Sequence, residues 1–249
     1  MKKILLSVLA FSLLFTSQAQ GFKDLTKKVK DSTGKIAPGK ILGGAGSKNL
    51  SNDDIISGLK EALSVGAQNS TAKLSSIDGF FRDAALKILM PAEAEKVEKR
   101  LRAAGFGKQV DEAILSMNRA AEDAAKEAAP IFMNAIKGIT IQDGIGILKG
   151  DDFAATNYLK NRTVAQLTEA FRPVIENSLQ KVGATKYWNS LFSTYNKIST
   201  DKVNPDLPAY VTEKALAGIF HQVGLEEQKI RKDPAARTTE MLKKVFGGS

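Results

Sequence analysis

Residues 110–125 read VDEAILSMNRAAEDAA, and this stretch is the clearest indication of the fold. Its apolar side chains recur at intervals of three and four residues, at Val110, Ala113, Ile114, Met117, Ala120, Ala121 and Ala124. That spacing places them along one face of an α-helix. Alanines at this density let a neighbouring helix approach closely. We therefore predict an amphipathic helix inside a helical bundle.

Similar helical patterns recur from Ser51 to the end of the chain. The predicted helices start at capping residues, prolines or apolar repeats, near positions 51, 80, 91, 110, 130, 140, 151, 163, 184, 211 and 233. We expect residues 80–89 to be helical, the helix after Thr163 to kink at Pro173, and the helix from position 211 to stop at Gly224. No segment alternates as a strand requires. The predicted fold class is all-α, a compact single-domain bundle of about ten helices.

The N-terminus has the layout of a secretory signal peptide over residues 1–19. Residues 1–3 (MKK) are positively charged, residues 4–15 form an almost unbroken apolar run, and residues 17–19 (SQA) precede a cleavage point at Gln20. The apolar run is shorter than the roughly 20 residues of a transmembrane helix. We therefore expect an exported protein that works in the periplasm, with the extracellular space as the alternative.

Residues 20–49 form a basic segment that contains glycine and proline, and they precede an all-α domain over residues 50–249. This segment contains seven lysines and two aspartates and has a net charge of +5, whereas residues 50–249 have a net charge of only +2. The high pI of about 9.5 is therefore mainly a property of the segment. We predict a linker that makes peripheral contact with anionic membrane, or a first helix that docks on the domain. The nearly neutral domain predicts no nucleic-acid partner.

Residue types that carry much catalytic chemistry are scarce. The chain has no cysteine and a single histidine, His221. This composition excludes cysteine nucleophiles and the usual Cys/His zinc sites. His221 falls on the polar side of its predicted helix and should be exposed. Glycine patterns at residues 34–41 and 144–146 lack the preceding strand that a phosphate-binding loop needs. We therefore predict no metal site and no cofactor.

Seven aromatic residues fall between positions 153 and 195, and two interpretations of them stay open. Aromatic side chains at helical spacing usually fill a core. The alternative is that they line a pocket for an apolar or amphipathic ligand, in which case Tyr187 and Trp188 are the candidate binding residues.

Arginines supply the candidates for polar recognition. Arg237, Thr238 and Thr239 fall in the first turn of a predicted helix that Asp233 caps. Backbone amides and an arginine at a helix start attract an anion, while the alternative is an internal carboxylate that holds the helix in place.

Two further arginines are candidates, Arg119 and Arg172. Arg119 is followed at three and four residues by Glu122 and Asp123, which predicts ordinary surface pairing. Arginines set among carboxylates would also suit a hydrolase with a polar pocket.

Several segments resemble one known family. They are residues 105–107 (GFG), 115–122 (LSMNRAAE), 210–216 (YVTEKAL), 229–239 (KIRKDPAARTT) and 242–247 (LKKVFG). The chain from about residue 48 to residue 247 resembles the bacterial family catalogued as domain of unknown function 4197. The resemblance implies an exported helical protein and assigns no activity.

The sequence favours one function class over another. The scarcity of catalytic residue types favours a non-enzymatic binding or cell-envelope accessory protein whose ligand is apolar, amphipathic or anionic. The alternative is a periplasmic hydrolase that uses carboxylates with Arg119, Arg172 or Arg237.

Overall fold

The computed structural model describes residues 51–200 and 202–233, apart from the side chain of Ile198. Within these residues the chain forms eight α-helices, a short 3-10 helix over Ala92–Ala94, and no strand. The α-helices are α1 (Asn52–Leu74), α2 (Glu95–Ala103), α3 (Gly107–Ala125), α4 (Ala128–Lys137), α5 (Ile141–Lys149), α6 (Ala154–Lys181), α7 (Ala184–Ile198) and α8 (Leu207–Lys232). The predicted all-α class is confirmed, with somewhat fewer helices than ten.

The two longest helices, α6 and α8, pack against each other at the centre of the bundle. Helix α3 contacts both of them, α1 packs on α8 and α4, and α7 folds back onto α6 and α8. Large side chains from different helices meet in the interior, where Phe132 on α4 contacts Phe220 on α8 edge to face at 5.8 Å. The apolar stripe of α3 is buried along its length, as predicted.

Local capping explains where several helices begin and end. Ser51 and Asp54 form a reciprocal capping box at the start of α1, and Thr140 and Asp143 form another at the start of α5. Gly183 lies in the left-handed region at φ 71°, which lets α6 end and α7 turn back. These boundaries were predicted correctly because they depend on residues close together in the chain.

The predicted helix over residues 80–89 is wrong. Residues 75–86 form a series of turns and residues 87–91 are irregular, and we call the whole segment over residues 75–91 the strap. Helix α3 holds the strap by side chains: Asn118 accepts from the Ile88 amide at 2.9 Å and donates to the Ile88 carbonyl at 2.8 Å. Because these side-chain bonds satisfy backbone groups that a helix would otherwise pair, Phe80, Leu86 and Ile88 of the strap are buried without being helical.

Two predicted boundaries inside long helices are also wrong. Helix α6 continues through Thr163, whose hydroxyl donates to the Leu159 carbonyl, while Pro173 lies inside the helix, as predicted. Helix α8 continues past Gly224 to Lys232. Gly224 is close to Phe153, whose ring atoms lie 3.1 Å from where a Cβ would be, so this glycine makes room for a neighbouring ring and does not end the helix.

None of the helices described here is long and apolar enough to cross a membrane. The predicted signal peptide, the segment over residues 20–49 and the predicted last helix lie outside the described residues.

Candidate functional site

A groove with a volume of about 790 Å³ opens between α3, the end of α6 and the first half of α7. The buried side chains of Val110, Met117, Ala120, Trp188 and Leu207 form its floor. These side chains come from three helices and carry one polar atom suited to hydrogen bonding, the indole nitrogen. The floor is therefore an apolar surface, and the volume of the groove lies in the range found for small-molecule sites.

The edge of the groove exposes large apolar side chains to solvent. Phe106 is 49% exposed, Val182 is 61% exposed and Tyr187 is 73% exposed. All three line the groove. A cluster of exposed apolar groups beside a concavity is typical of a binding site, because single exposed apolar residues are common but grouped ones are not.

Trp188 is held in a fixed position beside this edge. Its indole Nε1 donates to the carbonyl of Asn204 at 3.2 Å, and its ring packs on Phe192 at 4.4 Å between centroids. The side chain is only 6% exposed. Trp188 is the single tryptophan of the chain, so its fluorescence reports on the groove alone.

Charged and polar groups from α3 and α6 lie along one side of the groove, including Arg119, Asp123, Ser178 and Lys181. Burial disfavours the ionised form of Asp123, but hydrogen bonds from Lys126 and Ser178 outweigh it and hold the pKa of this carboxyl below its usual value. Asp123 is therefore an anion at neutral pH. We call these four residues the rim. The rim carries both signs of charge above the apolar floor.

Arg119 is anchored by two carboxylates. Its guanidinium donates to Glu122 Oε2 and to Asp78 Oδ1, each at 2.6 Å. The ion pair fixes the strap to α3 at the end of the groove, because Asp78 belongs to the strap. Arg119 lines the groove, and two of its five N–H donors are engaged by carboxylates of the protein.

The predicted pairing of Arg119 with Glu122 is confirmed, but Glu122 is not a surface residue, and Asp123 pairs with a different residue. Glu122 is buried, and its Oε1 accepts from the amides of Phe80 and Phe81 at 3.1 and 3.2 Å. Asp123 pairs with Lys126 at 2.9 Å. The spacing to Arg119 was visible in the sequence, but the strap amides that draw Glu122 inward lie 41 and 42 residues away.

The structure brings together three of the predicted site residues and separates a fourth. Arg119, Tyr187 and Trp188 all line the groove. Arg172 is not among the lining residues, since it pairs with Asp206 at 2.7 Å at the start of α8. Arg237, Thr238 and Thr239 lie outside the described residues.

The aromatic residues divide between the two interpretations. Phe171 and Phe192 are fully buried and fill the core, and Trp188 is both buried and part of the groove floor. The contribution of α3 and of Phe106 to the groove was not predicted. An aromatic residue between two glycines, as in Gly105-Phe106-Gly107, was the available signal.

His221 is exposed on α8, as predicted from its position on the helical wheel. It does not line the groove.

Comparison with known proteins gives the family and nothing finer. No curated protein and no solved structure matches the chain. A family model described as "Protein of unknown function (DUF4197)" matches residues 49–247. That match spans most of the chain and includes every helix described above, so the protein belongs to the DUF4197 family.

Proposed function

We propose that the protein is an exported, non-enzymatic binding protein that holds a small amphipathic molecule in the groove. The observation that carries the proposal is the apolar floor of a groove of about 790 Å³ beneath a rim with charges of both signs. The apolar part of the ligand lies along the floor, and its polar part contacts the rim beside Arg119 and Lys181.

The size of the groove sets the expected affinity. Each buried methylene contributes about 0.8 kcal/mol, so ten of them contribute about 8 kcal/mol. Association costs at least about 4 kcal/mol of this. The apolar part of the ligand alone therefore gives a dissociation constant near 1 mM. Polar contacts between the ligand and the rim lower this constant towards the micromolar range.

Titration of Trp188 fluorescence with a single-chain amphiphile, below its critical micelle concentration, tests the proposal. We expect a saturable change in intensity or emission maximum, because the indole lies at the floor of the groove. The variant Val182→Glu should weaken binding at least about tenfold, since it sets a charge on the apolar edge.

Val164→Glu is the matched control. Like Val182, Val164 is an exposed valine; it lies on α6, is 37% exposed, and does not line the groove. It should bind like the wild type. Equal affinities for the two variants, or a signal that never saturates, would contradict the proposal.

Mass spectrometry of the protein purified under mild conditions provides an independent test. A co-purifying amphipathic molecule that Val182→Glu loses and Val164→Glu keeps would support the groove as its site. The competing class, a hydrolase that uses carboxylates with arginines, would instead be supported by turnover of a phosphoester or a glycoside. In the described structure, Arg119 and Arg172 belong to separate ion pairs and no observation favours this class.

A further inference from the structure

A second opening, the basic cleft, lies between the strap and α8. It has a volume of about 450 Å³, and its basic lining residues are Lys87, Lys214 and His221. Tyr210, Lys214 and His221 follow one another along α8 at intervals of four and seven residues, so they share one face of the helix. Lys87 lines the cleft from the strap.

The two lysines are held near aromatic rings. The ammonium of Lys87 lies 4.1 Å from the ring centroid of Phe81, and that of Lys214 lies 5.6 Å from the ring centroid of Tyr210. Cation–π contact positions an ammonium without neutralising its charge. Among the residues described, neither lysine forms an ion pair with a carboxylate, whereas Lys73 near the same strap pairs with Asp83 at 3.1 Å.

Three carboxylates lie near the cleft, but none of them is among its lining residues. Asp83 is close enough to His221 to interact with it electrostatically, but its carboxylate is engaged by Lys73. Glu93 and Glu213 lie near Tyr210, and neither lines the cleft. The lining therefore carries two ammonium groups and an imidazole, and no carboxylate is among the lining residues.

The walls of the basic cleft are fixed by hydrogen bonds on both sides. The Tyr210 hydroxyl donates to the carbonyl of Leu89 at 2.9 Å and thereby joins α8 to the strap. The Asn118 side chain on α3 hydrogen-bonds to both the amide and the carbonyl of Ile88. A cleft with rigid walls loses little conformational entropy when it binds a ligand.

We propose that the basic cleft is a binding site for a phosphate-type oxyanion, either free phosphate or a phosphate group on a larger molecule. Two ammonium groups and an imidazole supply charge-assisted hydrogen bonds to several oxygens of one anion. The site is separate from the groove, and it stands whether or not the groove binds an amphiphile.

The single histidine makes the test specific. In untagged full-length protein the imidazole Hε1 resonance of His221 is the only one of its kind, because the chain contains no other histidine. Inorganic phosphate is titrated at constant pH, with chloride at matched ionic strength as the reference. We expect a saturable shift of this resonance with phosphate and none with chloride.

Matched pairs of lysine substitutions locate the site. Lys87→Gln with Lys214→Gln should weaken phosphate binding about tenfold or more, because both charge-assisted contacts are lost. Lys149→Gln with Lys160→Gln removes the same charge from exposed positions outside the cleft and should leave affinity within about twofold. An equal loss in both double variants, or no saturable shift in the wild type, would overturn the proposal.

A second arm separates the two sources of phosphate. Glycerol phosphate, a soluble analogue of a phosphate-bearing headgroup, is titrated in the same way. Tighter binding of glycerol phosphate identifies a phosphomonoester group as the ligand, and tighter binding of inorganic phosphate identifies the free ion. Either result supports the site, provided that the cleft double variant weakens it.

Discussion

At the scale of single residues, two buried carboxylates, Glu122 and Glu227, bind backbone amides. Glu122 accepts two amides of the strap. Glu227 on α8 accepts the amides of Ala155 and Thr156 at 3.0 and 2.8 Å, in the first turn of α6. Amides at a helix start lack intrahelical partners, so Glu227 caps α6 from a distance of 71 and 72 residues in sequence.

Replacing Glu122 should destabilise the fold strongly. Glu122→Ala leaves two strap amides without their acceptor and Arg119 with only Asp78, and it should lower the free energy of unfolding by about 2–4 kcal/mol. Glu122→Gln keeps one acceptor oxygen and should cost less. Urea denaturation of the variants measures the difference.

The control for Glu122 is Glu95→Gln on α2. Glu95 pairs with Lys99 at 2.6 Å on the surface, with 61% of its side chain exposed. Solvent screens such a pair, so the denaturation midpoint should not move. A Glu122 variant as stable as this control would show that the strap amides find other partners.

Asp206 should make part of the stability dependent on pH. Burial opposes its ionisation, but the hydrogen bonds from Arg172 and from the Ala209 amide lower the pKa of this carboxyl below 3.8. A lowered folded-state pKa adds stability above the unfolded-state value, and this stability is lost as pH falls through the folded-state value. Asp206→Asn should therefore be less stable than the wild type at pH 7, and the difference should shrink towards pH 3. Urea midpoints at both pH values measure this, and a constant difference would contradict the assignment.

At the scale of elements, glycines set how closely helices and the strap approach each other. A Cβ on Gly218 of α8 would lie 2.5 Å from the ring of Phe80, which is fully buried. A Cβ on Gly144 of α5 would lie 2.1 Å from Ile56 Cδ1. The glycine pattern at residues 144–146 therefore reflects helix packing, at least at its first position, and not a nucleotide loop.

Two glycine-to-alanine substitutions should have opposite effects. Gly218→Ala forces the rigid Phe80 ring to move and should cost about 1–3 kcal/mol. Gly146→Ala on α5 meets nothing within 4 Å and should stabilise by up to about 1 kcal/mol, because alanine favours helix. Thermal or urea denaturation decides the signs. Destabilisation by both would show that α5 needs glycine for another reason.

At the scale of the whole molecule, we predict that the basic segment over residues 20–49 is a linker and not part of the core. Deleting residues 20–47 should shift the melting temperature by no more than a few degrees if the segment is a linker. The deletion should also weaken binding to anionic vesicles, and added salt should weaken the binding of the full chain, because charges on exposed lysines are screened over about 8–10 Å.

The deletion is measured by calorimetry and by vesicle co-sedimentation at two salt concentrations. A deleted chain that unfolds or aggregates would show that the apolar residues at the start of the segment, Phe22, Leu25 and Val29, dock on the bundle as a helix. Equal vesicle binding before and after deletion would place the membrane contact elsewhere.

The sequence by itself determined the all-α class, the stripe of α3 and the capped starts of α1 and α5. Each depends on residues within about one or two turns of one another, because helix periodicity and capping are local. The exposed side of α8 at His221 was predictable for the same reason. The family, too, followed from sequence alone.

Only the tertiary structure decided the strap, the burial of Glu122 and the two openings. Asn118 and Ile88 are 30 residues apart, and the groove joins Phe106 to Tyr187 across two helices. Whether a carboxylate faces solvent or unpaired amides depends on which backbone the fold brings to it, and no local spacing contains that information. The fold likewise decided that Trp188 lines a groove while Phe192, one turn along the same helix, fills the core.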